Sequence, residues 1–170
     1  MRSGRLAAAI AIAATALAAS AAPAASGTLD FGAGEPTISG FSGVTLRGTP
    51  QLTSLTVSPF SVVDATASGA GWHVTFSLPD LVNGGSVIAA STMTMAAPTV
   101  TPSGGADPTN VVGHASTGNF AAGEKIVTAS TGFGDGTYLV SPEPVFLTVP
   151  VTARAGVYVS AATLSIVSGP

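Results

Sequence analysis

The chain has 170 residues, 46% hydrophobic and 8% charged, with a formal net charge of −3 and no cysteine. Five basic residues against eight acids leave no basic patch to neutralise phosphates, which argues against nucleic acid or anionic lipid as a partner. Without cysteine there is no disulfide framework and no lipid-modified N-terminal cysteine.

The first element in chain order reads as an export leader. Arg2 and Arg5 precede an uninterrupted apolar run, Leu6–Ala18 (LAAAIAIAATALA). Ala22-Pro23-Ala24, or Ala24-Ala25-Ser26, then offers a small-residue cleavage site. The run is shorter and more alanine-rich than the roughly 20 strongly apolar residues of a membrane span. Residues 1–26 are therefore expected to be a cleaved secretory signal. The product is expected to be secreted, extracellular or cell-wall associated, with no membrane span. Residues 27–170 are expected to form one domain, long enough to bury roughly 68% of its unfolded surface and to stand without disulfides. It keeps Arg47, Lys125 and Arg154 against eight acids, a net charge of −5.

No part of this domain sustains a helical period. Short Val, Thr, Ile and Phe runs alternate with Gly, Pro, Ser and Asp, the pattern of an all-β fold, here a two-sheet antiparallel sandwich of immunoglobulin-like kind. Strands are predicted at 28–31, 37–47, 51–64, 72–78, 86–96, 110–116, 124–130, 137–140, 145–149 and 157–167. In SGAGWHVTFSLPDL, residues 68–81, Trp72, Val74, Phe76 and Leu78 share one face, while His73, Thr75 and Ser77 share the other. The last strand places Tyr158, Ala162, Leu164 and Ile166 on one face, interrupted by Ser160. Over 51–62 the pattern is less clean, because Leu52 departs from the face set by Leu55 and Val57. Asp64 is suited to an Asx-turn, and Gly69 and Gly71 to the positive φ that would carry the chain into Trp72. Asp135-Gly136 reads as a hairpin turn, and Pro150 as the end of a strand. Residues 98–118, with Pro102, Gly104, Gly105 and Asp107-Pro108, read as one long irregular loop.

Candidates for chemistry are few. His73 and His114 are the only histidines, and neither sits in an H-x-H or H-E-x-x-H pattern, so no metal site is expected. No G-x-S-x-G or S-x-x-K is present to activate a serine. Asp64, Asp107, Asp135 and Glu143 lie at turns without the spacing of a calcium loop. No catalytic residue and no cofactor is therefore expected. A hydrolase would require two acids, or an acid and a histidine, to converge in one cleft. Trp72, His73 and Tyr138 are the candidate ligand contacts, because aromatic faces bind sugars. Trp72, however, shares a face with Val74, Phe76 and Leu78, which points to the core.

Two segments carry a resemblance. One is Phe60–Phe76, FSVVDATASGAGWHVTF, with Asp64, Gly71 and Trp72. The other is Leu147–Pro170, LTVPVTARAGVYVSAATLSIVSGP, with Gly156, Tyr158 and Leu164. With the leader, they resemble the WxL family of bacterial surface proteins, exported β-rich proteins that attach non-covalently to the cell wall through peptidoglycan. The first Trp-x-Leu motif reads Trp72-His73-Val74 here. The second reads Leu164-Ser165-Ile166, with leucine where tryptophan belongs. There is no LPXTG-type sorting signal. The resemblance implies a WxL-like sandwich whose partners are cell-wall glycan or other surface proteins. A structural, self-assembling subunit that uses exposed strand edges is the alternative.

Overall fold

The computed structural model describes residues 27–32 and 34–170, together with the backbone of Ala7–Ala8 and Ile10–Ala14. The leader expected over residues 1–26 otherwise lies outside the described residues. Strands make up 49% of the chain and helix 4%, in three antiparallel sheets around one hydrophobic core. The all-β antiparallel sandwich is the observed fold.

Two of the three sheets are halves of one creased sheet. On one side lie Ser116–Thr117, Met93–Met95, Val145–Val149 and Gln51–Leu55; on the other lie Thr99–Ser103, Gly136–Ser141, Phe60–Asp64 and Leu29–Phe31. Four residues separate Leu55 from Phe60, Val140 from Val145, and Met95 from Val100, so the pairing offset is the same on both sides. Pro59, Pro98, Pro142 and Pro144 all fall in this gap. Proline has no N–H for the ladder, so a row of prolines across neighbouring strands breaks pairing at one level. The inward set changes parity there. Thr53, Leu55 and Val57 are buried before the crease, and Phe60, Val62 and Asp64 after it. Tyr138 and Val140 against Val145, Leu147 and Val149 do the same. Side chains alternate with a period of two, so the sheet turns opposite faces to the core on its two sides. The departure of Leu52 from the face of Leu55 and Val57 lies wholly on one side of the crease. Leu52, which departs from that face, is 65% exposed.

In the other sheet Val111–Gly113 pairs with Glu124–Ala129, that strand with Trp72–Ser77, and Trp72–Ser77 with the second half of Tyr158–Ser168; Leu81–Asn83 pairs with the first half of Tyr158–Ser168 and with Ser86–Ile88. Its centre pairs the two segments singled out in sequence: Leu164 lies opposite Phe76, and Ile166 opposite Val74. Both alternations hold, with Trp72, Val74, Phe76, Tyr158, Ala162, Leu164 and Ile166 all buried. Ser160, the interruption, donates its hydroxyl to the Pro79 carbonyl at 2.8 Å.

Four expectations are corrected. Residues 98–118 are not one loop, since Thr99–Ser103 pairs with Gly136–Ser141 and Val111–Gly113 pairs with Glu124–Ala129. Pro102 is compatible with this because its strand lies at a sheet edge. The strand expected at 37–47 is reduced to a bridge at Ile38 and the pair Val44–Thr45, with Gly40 and Gly43 between them. The strand expected at 86–96 is split by a short 3-10 turn, Ala90–Thr92. Asp135-Gly136 closes no hairpin, because Glu124–Ala129 and Gly136–Ser141 belong to different sheets and the turn carries the chain between them. A hairpin not anticipated, Leu81–Asn83 with Ser86–Ile88, carried a signal in Asn83-Gly84 between apolar pairs.

Candidate functional site

Trp72 is fully buried, and its indole N–H donates to the Gly134 carbonyl at 2.9 Å. Its ring packs 5.7 Å from that of Tyr138, tilted by 58°. Tyr138 is also fully buried, and its hydroxyl donates to the carbonyls of Asp107 at 2.7 Å and Asp135 at 3.3 Å. Burial raises the Tyr138 phenol above its usual range, and the negative charges of Asp107, Asp135 and Asp64 act in the same direction. Neither ring presents a face to a ligand in this structure. For Trp72 this is the core position that its alternation points to, whereas for Tyr138 it departs from the place of a surface contact.

The other motif residues build turns. The Asp64 carboxylate accepts from the Thr66 amide at 2.9 Å and the Thr66 hydroxyl at 2.6 Å, forming the Asx-turn. Gly71 sits at φ 74°, and a side chain there would run into the carbonyl of Ala129. Gly156 lies against the Asn83 side chain. The Tyr158 ring is buried, while its hydroxyl donates to the Arg154 carbonyl and accepts from the Arg154 amide, each at 3.1 Å. A tyrosine tied back to backbone four residues upstream fixes the entry into the last strand, much as tyrosine corners do in immunoglobulin-like sandwiches.

Polar chemistry gathers on the outer face of the sheet that holds Trp72. Directly opposed residues share a face. Thr128, His73 and Val167 therefore form one row, and Lys125, Thr75 and Ser165 the next. A β-bulge between Lys125 and Val127 shapes this face. It turns Ile126 and Val127 both inward, so Lys125 and Thr128 both point out. The Ile126 carbonyl then accepts from the His114 amide at 2.8 Å, which brings His114 beside the bulge. His114 Nε2 lies 2.7 Å from the Thr128 hydroxyl.

An open hollow of about 490 Å³ lies here, lined by His114, Ala115, Gly123, Glu124, Lys125 and Thr128. His73 Nδ1 bonds the Gly169 carbonyl and Lys125 donates to the Pro170 carbonyl at 2.8 Å, so both side chains hold residues 169–170 beside it. Of the three expected ligand contacts, only His73 lies on this face. His114, Lys125 and Thr128 were not singled out together, because only the register and the bulge bring them side by side.

The hollow places an acid, Glu124, near a histidine, His114. This is the convergence that a hydrolase would require, and the His114 imidazole is bonded to the Thr128 hydroxyl. Among the described residues, no group of three His, Cys, Asp or Glu side chains is placed to hold a metal. Asp107, on the far side of the strand ladder, is an exposed carboxylate; its bonds with the Thr109 side chain and amide lower its pKa. The arrangement can donate and accept hydrogen bonds to an uncharged, hydroxylated ligand. No family model matches the chain, no curated protein matches its sequence, and no solved structure matches its fold.

Proposed function

We propose that the chain is an exported, non-catalytic surface protein that attaches non-covalently to bacterial cell-wall glycan, as a divergent relative of the WxL proteins. The observation that carries this reading is the hollow where His114, Thr128 and Lys125 meet on a hydroxylated sheet face. Hydroxyl and imidazole groups both donate and accept, which matches the hydroxyls and amides of a glycan. The hollow is within the roughly 300–1,000 Å³ usual for small-ligand sites. The pairing of Trp72–Phe76 with Leu164–Ser168 gives further support, because the two segments that carry the resemblance are neighbouring strands.

The test is co-sedimentation of residues 27–170 with purified peptidoglycan sacculi. Binding is expected, and His114→Ala with Thr128→Val is expected to reduce the bound fraction at least tenfold, the loss of about 1.4 kcal/mol. Protein left wholly in the supernatant overturns the reading. Release of soluble glycan fragments from the sacculi would replace it with a hydrolase. A second reading, self-assembly, is favoured by the uncharged outer edge of the last strand.

A further inference from the structure

The last strand, Tyr158–Ser168, pairs with Trp72–Ser77 and Leu81–Asn83 along one edge. Along its other edge, the only partner among the described residues is Ile10–Ala14, which runs parallel to Tyr158–Ala162. That partner lies inside the leader expected to be removed. Residues 157–168 contain no Lys, Asp, Glu or Pro, the residues that usually keep a free edge from pairing.

The outer face beside this edge is apolar, in contrast to the hydroxylated end. Val87 pairs with Val82, and Val82 with Val159, across three neighbouring strands. Their exposures are 54%, 42% and 49%, and Val157 adds another 50%. Directly opposed residues share a face, so these valines form one row that runs up to the open edge.

We propose that, once residues 1–26 are removed, this edge pairs antiparallel with the same edge of a second copy, Tyr158–Ala162 against Tyr158–Ala162, to form a two-fold dimer with one continuous sheet. A two-fold interface must be self-complementary. This edge is: it carries no charge to oppose its own image, and Val159 of each copy lies opposite Ala161 of the other on one shared apolar face. The seating of Ile10–Ala14 on the same edge shows that backbone pairing with an uncharged strand fits there. In the unprocessed chain, the leader fills the edge and keeps the precursor monomeric. The inference deepens the self-assembly reading and is independent of glycan binding, so a failed sacculus assay leaves it standing.

The core among the described residues runs from Leu29 to Ile166, and a cooperative urea transition is first required of residues 27–170. Sedimentation velocity over a dilution series tests the proposal. Residues 27–170 are expected to dimerise and to dissociate on dilution, while the full chain stays monomeric at the same concentrations. Val159→Lys, at a half-exposed position, is expected to abolish the dimer and leave the urea midpoint unchanged. A monomer throughout, a dimer retained in Val159→Lys, open-ended larger species, or a full chain that dimerises equally would each overturn it.

Discussion

Trp72 is the residue on which the core depends most. Its indole is enclosed on all sides, and its one polar atom is satisfied by Gly134. Trp72→Ala is expected to cost about 3–5 kcal/mol, a large share of the roughly 5–15 kcal/mol a domain has. Trp72→Phe keeps much of the apolar contact and is expected to cost less. Urea unfolding of both variants measures this. An unchanged midpoint in Trp72→Ala, with lost sacculus binding, would mean that the ring works at the surface. Tyr138, its neighbour, makes a prediction in pH. The phenol is raised above its usual value of 10.0, mainly by burial. Below about pH 10 it is protonated in both the folded and the unfolded chain, and its contribution to stability is whole. As pH rises past that point, the unfolded chain loses its proton first, so stability falls until the folded phenol also ionises. The wild-type urea midpoint should therefore drop above pH 10 more steeply than that of Tyr138→Phe. At neutral pH, Tyr138→Phe should cost about 1 kcal/mol for the hydroxyl bonds to Asp107 and Asp135.

At the scale of elements, turns and creases decide where the strands go. Gly71 combines a φ of 74° with backbone pressed against the position its side chain would take. Gly84 has φ 55° and open space around it. Gly71→Ala should therefore be the more damaging, by about 1–3 kcal/mol for the steric clash, with Gly84→Ala as the control for φ alone; thermal unfolding of the pair separates clash from conformation. Equal losses would show that the contact with Ala129 yields. The alternation of Trp72–Ser77 and of the last strand was legible because both strands bury one face for their whole length. The crease was not, because a parity change in a single strand looks like noise. It acquires meaning only when three strands change together beside Pro59, Pro98 and Pro142. Asp135-Gly136 misled for a related reason: a turn signal marks a reversal but does not say which sheet receives the next strand. The polar face was legible in part. His73, Thr75 and Ser77 follow from alternation, whereas the arrival of His114 beside Thr128 depends on a bulge that leaves no mark in the local pattern.

Charge sets the terms at the scale of the whole molecule. Three cations and eight acids are spread over residues 27–170, and the cation at the hollow, Lys125, is already engaged with the Pro170 carbonyl. On the proposed reading, attachment through this face rests on hydrogen bonds and close fit more than on charge. Two binding modes then diverge with ionic strength. Adsorption driven by charge would weaken as the screening length falls from about 10 Å at 0.1 M salt to about 3 Å at 1 M. Hydrogen bonds made at contact distance would persist. The fraction of protein pelleting with sacculi is accordingly expected to change by less than about twofold across that range, a small free-energy difference beside the 1.4 kcal/mol of a tenfold change. Lys125→Gln, which removes the charge and keeps a donor, is expected to pellet like the wild type. A steep fall with salt, or loss of binding in Lys125→Gln alone, would place the attachment on ionic contacts with the wall.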